Sequence, residues 1–120
     1  MIINDRIDIA LAVGADGVHL GQTDMPIEAA RKLLPADAVV GVSCNTREEV
    51  ERAVFAGADY VGIGPVYATF TKKVTTPLLG PRNLGGILTA LENTDVKSVA
   101  IGTSHQLVYD HTMPTCTQVE

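Results

Sequence analysis

Tyr60-Val61-Gly62-Ile63-Gly64 is a short apolar run that ends in glycine and meets Pro65 at once. A run of this length, bounded by turn residues and rich in branched aliphatics, reads as a strand buried on both faces. The segment behind it, from residue 65 to about residue 82, is long and carries Thr69, Thr71, Lys72 and Lys73. Connections of that length after a strand are usually functional loops or lids rather than idle links.

The same unit recurs on either side. Residues 1–4, 17–21, 38–43 and 96–101 read as further strands. Helical spacing of apolar residues fills the intervals. It covers residues 8–13, ending at Gly14, and residues 24 to about 34, with Pro26 in the first turn. A third helix is expected to be capped by Asn45, with Glu48 as the reciprocal partner, and to end at Gly57. Val50, Ala53 and Val54 share one of its faces, and residues 84–91 form a fourth helix. Five strands with four crossovers predict an α/β fold, either a parallel sheet or part of a barrel. Gly-Ala-Asp occurs at 14–16 and again at 57–59, in both cases before a strand, and marks turns at the edge opposite the strand ends.

Length sharpens the choice. At 120 residues the chain suits one domain. A complete α/β barrel takes roughly 250 residues. A hydrophobic fraction of 46% against 19% charged residues excludes a wholly disordered chain. The net charge of -5, without a polybasic run, argues against a nucleic-acid partner. No apolar stretch is long enough for a membrane span. Met1-Ile2-Ile3-Asn4-Asp5-Arg6 does not read as a signal peptide. Cys44 and Cys116 make no disulfide framework, so a reducing, cytoplasmic location is expected.

Polar residues gather at the carboxyl ends of the expected strands: Asn4 and Asp5, His19 and Gln22, Ser43, then Thr69, Thr71 and Lys72. In parallel α/β folds that edge faces the binding crevice. Asp5 and Asp24 either hold one Mg²⁺ together with waters and phosphate oxygens, or cap local helices. Asn4 is placed to hydrogen-bond a heteroaromatic ring or a carbonyl. Thr69 to Lys73 offers hydroxyls, N–H groups and an ammonium to a phosphate, though no Walker loop is present; the alternative is a solvated loop. Ser43 either binds phosphate or caps the next helix, and no Gly-x-Ser-x-Gly elbow surrounds it. Cys44 reads as a packing residue without a paired histidine. His19 is either a ligand contact or a structural histidine, and Gln22 is the better hydrogen-bonding candidate. Tyr67 either shapes a pocket wall or packs under the loop. His105, His111 and Cys116 match no common zinc spacing.

Taken in order, Ile2-Ile3-Asn4-Asp5-Arg6, residues 14–22, Asp24-Met25-Pro26, Gly41-Val42-Ser43, residues 60–69 with Thr71-Lys72-Lys73, and Val99-Ala100-Ile101-Gly102 resemble thiamine-phosphate synthases. The pattern is most similar to the synthase half of fungal bifunctional enzymes. The resemblance implies a partial TIM (β/α)8 barrel, with residues 1–102 its central portion and residues 103–120 a divergent, poorly ordered tail. It implies transfer of a hydroxymethylpyrimidine group from its diphosphate to a thiazole phosphate, with release of pyrophosphate. By the same carry-over Asn4 contacts the pyrimidine, Ser43 the pyrophosphate, and Thr69, Thr71 and Gly102 the thiazole phosphate. Lys72 is the catalytic residue and stabilises the departing diphosphate, while Asp5 and Asp24 bind Mg²⁺. A fused kinase domain and a homo-oligomer are further implications. The family's early Gln/Arg/Lys diphosphate-binding strand has no counterpart here. The family's second glycine after Gly102 is replaced by Thr103. These departures imply little or no turnover by the isolated chain, or alternatively a regulatory phosphate-ligand-binding protein of the same fold.

Overall fold

The apolar runs become strands, and each of the first four is followed by a helix that covers one side of the sheet. The structure, a computed structural model, describes residues 1–66, 79–101, 106–109 and 117–119. The order is β1 (Ile2–Asn4), α1 (Ile7–Val13), β2 (Gly17–Leu20), α2 (Ile27–Leu33), β3 (Val39–Cys44), α3 (Arg47–Ala56), β4 (Tyr60–Ile63), α4 (Gly80–Leu88), β5 (Lys97–Ala100), β6 (Gln106–Tyr109) and β7 (Thr117–Val119). A 3₁₀ turn, Thr89–Leu91, extends α4.

All seven strands form one sheet in the order β1-β2-β3-β4-β5-β6-β7. The first five run parallel. Strictly sequential order is that of a barrel wall, whereas a doubly wound sheet reverses order at a switch point. β6 and β7 then add antiparallel. They fall within the range expected to be a poorly ordered tail, and the other residues of 103–120 lie outside the described ones. Val108 and Tyr109 are residue types that favour strands.

Chain punctuation follows the physics of helix ends. α1 and α3 stop at Gly14 and Gly57, whose φ values of 62° and 88° cost a glycine little. α3 begins one residue later than expected. Thr46, not Asn45, is the N-cap; its side chain accepts from the Glu49 N–H, and Glu49 reaches back to the N-cap N–H. β3 runs through Cys44, which pushes the helix start along and puts Glu49 rather than Glu48 at the third helical position. The Asn45 N–H still donates to Glu49 Oε2 at 2.6 Å. Pro26 stands before the first turn of α2 rather than inside it, and α4 starts at Gly80, ahead of the expected residue 84.

The period-two alternation separates two faces. Val18, Leu20, Val40, Val42, Val61 and Ile63 pack against Ala30, Val50 and Leu91 in the core. Burial of this kind contributes about 25 cal/mol per Å² of apolar surface removed from water. The other face carries His19, Gly41 and Tyr60 in one register row, with Ser43 and Gly62 in the next. At the amino ends of the strands, Arg31 fastens α2 to the sheet. Its Nη1 donates to the Ala38 carbonyl at 2.6 Å, and Nη2 donates to the Gly57 carbonyl at 2.8 Å and to Asp59 Oδ2 at 2.7 Å. The same Asp59 oxygen accepts from the Val40 N–H at 2.7 Å.

Candidate functional site

The face without helices carries the polar groups. Asn4 closes β1, is exposed, and pairs in register with His19 of β2. The chain then turns sharply: Asp5 has φ 60°, and its N–H donates to the His19 carbonyl at 2.8 Å. Left-handed backbone is uncommon outside glycine, and Asp is among the residues that tolerate it. This turn sets Asp5 at the carboxyl end of β1, beside β2. Asp24 follows β2, where its Oδ2 accepts from the Gly21 N–H at 2.7 Å and so closes a local turn.

Ser43, one residue from the end of β3, joins a side-chain chain that the sequence did not reveal. Its Oγ lies 2.8 Å from His19 Nε2, and His19 Nδ1 lies 2.8 Å from the Tyr60 hydroxyl. Three strands thus contribute to one line of hydrogen bonds. Burial lowers the His19 pKa from its ordinary value, opposed by the nearby Asp5 charge. Burial also raises the Tyr60 phenol. Both shifts favour the neutral groups at pH 7.

Gln22 donates through Nε2 to the Ser43 carbonyl at 2.7 Å, holding the end of β3 rather than reaching into the site. Cys44 points to the opposite face and is fully buried, as a packing residue should be. A cavity of about 230 Å³ opens on that helix-covered side, between α2 and α3; Asp24, Val42, Glu49 and Arg52 are among its lining residues. Thr69, Thr71, Lys72 and Gly102 lie outside the described residues, as do Tyr67, His105, His111 and Cys116. Asn4, Asp5, Asp24 and Ser43 are therefore the expected site residues that the structure places, all at or just beyond carboxyl strand ends. Sequence reasoning misses Tyr60, and it names His19 as either a ligand contact or a structural histidine without linking it to Ser43. The available sequence signal was a histidine and a tyrosine each placed in a strand that otherwise carries only Gly, Val, Leu and Ile.

Among the described residues, no three His, Cys, Asp or Glu side chains gather as a metal-holding group. Asp5 and Asp24 offer carboxylate oxygens alone. That donor set fits Mg²⁺, which commonly takes one or two carboxylates and completes its shell with water and phosphate oxygens.

Sequential parallel strands, helices on one side and polar groups at the carboxyl strand ends define an α/β protein of the TIM-barrel class. The chain belongs to the thiamine monophosphate synthase family, whose model matches residues 1–109. It is 53% identical over 102 residues to a probable thiamine biosynthetic bifunctional enzyme of Schizosaccharomyces pombe, covering 85% of this chain and 19% of that protein. It is 54% identical over 102 residues to a thiamine-phosphate synthase of Clostridium novyi, covering 85% of this chain and 48% of that one. A solved thiamine phosphate pyrophosphorylase from Pyrococcus furiosus superposes with a TM-score of 0.68 at 40% identity, covering 84% of this chain and 46% of that chain. The chain thus spans less than half the length of each of these proteins. Among the described residues no helix is long and apolar enough to cross a membrane.

Proposed function

We propose that residues 1–102 are the central portion of a thiamine-phosphate synthase, a transferase that joins 4-amino-5-hydroxymethyl-2-methylpyrimidine diphosphate to 4-methyl-5-(2-phosphoethyl)thiazole and releases pyrophosphate. The observation that carries this reading is the family match across residues 1–109, combined with Asn4, Asp5 and Ser43 at the carboxyl ends of β1 and β3, two parallel strands that flank β2. Asn4 orients the pyrimidine. Ser43 donates to the diphosphate. Thr69, Thr71 and Gly102 hold the thiazole phosphate, and Lys72 stabilises charge on the departing pyrophosphate. Asp5 and Asp24 would hold Mg²⁺, which supplies electrostatic stabilisation of the leaving pyrophosphate when bound. The described side chains provide no activated nucleophile, and the reaction needs none. Positioning and charge stabilisation are the work left for the protein. A cytoplasmic location, a fused kinase domain and self-association belong to the same proposal.

The fraction of the relatives' length covered favours a second reading, in which the isolated chain retains anion binding without turnover. Two measurements separate the readings. Calorimetry with pyrophosphate, with and without Mg²⁺, is expected to show Mg²⁺-dependent binding that weakens about tenfold or more in Asp5→Asn. A steady-state assay with both substrates and Mg²⁺ is expected to show little turnover from the 120-residue chain. Family-like turnover would overturn the second reading, and absence of pyrophosphate binding in the presence of Mg²⁺ would overturn both.

A further inference from the structure

We propose that Tyr60 and His19 form a donor relay that fixes Ser43 as a hydrogen-bond donor to the anionic group of the ligand, with His19 as the positioning residue. The outward half of this inference rests on the reading above, in which Ser43 meets a diphosphate. The inward half rests on the geometry and on the unequal donor strength of the two hydroxyls.

A neutral imidazole has one donor nitrogen and one acceptor nitrogen, so its two hydrogen bonds must run in one sense. The Tyr60 hydroxyl lies 2.8 Å from Nδ1, and Ser43 Oγ lies 2.8 Å from Nε2. Suppose Nδ1 carried the proton. The phenol would then accept, and among the described residues its own proton would have no partner. A phenol O–H is more acidic than an alcohol O–H, and its oxygen is the poorer acceptor, so of the two hydroxyls the phenol is the one suited to donate. The opposite sense uses the phenol as donor and the serine oxygen, the better acceptor, as acceptor, and the one hydroxyl proton it leaves over is that of Ser43. Tyr60 donates to Nδ1, Nε2–H donates to Ser43 Oγ, and the Ser43 O–H is left to donate elsewhere.

This polarity is the reverse of a hydrolytic triad. There the imidazole accepts from serine, and a carboxylate accepts from the imidazole, which readies the serine for attack. Here a phenol occupies the third position and donates. The serine oxygen is occupied as an acceptor while its proton is directed outward, as recognition of an anion requires. No proton is transferred and no covalent step is involved. Gly41 makes the line possible. It sits between His19 and Tyr60 in the register, and a Cβ there would come within 2.0 Å of Tyr60 Cζ.

The test is nitrogen NMR of the 120-residue chain labelled at histidine, with the His19 signals assigned by their loss in His19→Gln. Wild type is expected to show the Nε2–H tautomer at His19. Tyr60→Phe, which keeps the ring and removes the donor, is expected to repopulate Nδ1–H. In parallel, titration with inorganic pyrophosphate and Mg²⁺ is expected to show affinity falling about tenfold in Tyr60→Phe and in Ser43→Ala, with the double variant little worse than either. An Nδ1–H tautomer in wild type overturns the relay, as does a Tyr60→Phe variant with unchanged tautomer. Binding by Ser43→Ala equal to wild type overturns the outward role of Ser43 while leaving the ligand reading intact. Failure of wild type to bind pyrophosphate defeats the ligand reading and the outward role with it. The tautomer spectrum then still decides the Tyr60–His19–Ser43 half.

Discussion

Gly41 lies under the ring of Tyr60, so close that an added Cβ would sit 2.2 Å from Tyr60 Cε1 and 2.4 Å from its hydroxyl oxygen. The glycine on β3 is therefore a space reserved for a side chain from β4. Gly41→Ala is expected to destabilise the chain by roughly 1–3 kcal/mol through overpacking. Denaturant melts of Gly41→Ala, Tyr60→Ala and the double variant check this. The double variant should cost clearly less than the sum of the two singles, because removing the ring removes the clash.

Arg31→Lys is expected to destabilise almost as much as Arg31→Ala, by about 1–2 kcal/mol each. An ammonium keeps the charge but not the planar fork that reaches the Ala38 and Gly57 carbonyls and Asp59 together. Thermal unfolding of the two variants decides it; a wild-type midpoint in Arg31→Lys would show that charge alone suffices.

Thr46→Ala is expected to cost about 1 kcal/mol, because the N–H of Glu49 loses its acceptor. Asn45→Ala at the neighbouring position should cost little, since the Asn45 backbone N–H, not its side chain, makes the bond to Glu49. Chemical denaturation of both variants separates the observed cap from the one expected by spacing alone.

Burial pushes the Cys44 thiol up to about 12 from an ordinary 9.0, with the Glu49 charge acting in the same direction. The folded state keeps this proton where the unfolded state has lost it. The resulting stability is fully present below about pH 9 and is lost as pH rises toward 12. Stability measured between pH 8 and about pH 11 should therefore fall, and fall less in Cys44→Ala. Peptide mapping after alkylation at pH 8 should find Cys44 protected in the native chain and modified in denaturant.

Much of the fold was legible in the sequence because local chemistry and tertiary packing agree there. The runs at Gly17-Val18-His19-Leu20 and Tyr60-Val61-Gly62-Ile63 are buried strands. Gly14 and Gly57 end helices because both hold the left-handed backbone that glycine adopts freely. Boundaries slipped where two signals competed. Asn45 and Thr46 are both good caps, and the extent of β3 chose between them. The placement of Asn4, Asp5, Asp24 and Ser43 at strand ends was readable from the polar switch after each apolar run. The pairing of His19 with Ser43 and Tyr60 was not. It depends on the inter-strand register, which puts residues 24 and 41 positions from His19 beside it. No spacing rule within one chain segment encodes that. The antiparallel β6 and β7 were equally hidden, because their pairing with β5 decides their state more than their own short sequences do.

The Tyr60–His19 bond also has a mechanical side. Backbone ladders tie each strand only to its immediate neighbour. Tyr60 on β4 reaches His19 on β2 over the top of β3, and His19 returns to Ser43 near the far end of β3. The result is a diagonal brace across three strands. A one-residue slip of any of them would turn its member of the brace to the wrong side of the sheet. The brace therefore works against shear, and it locks the wall's alignment from the same side on which the polar strand ends are gathered.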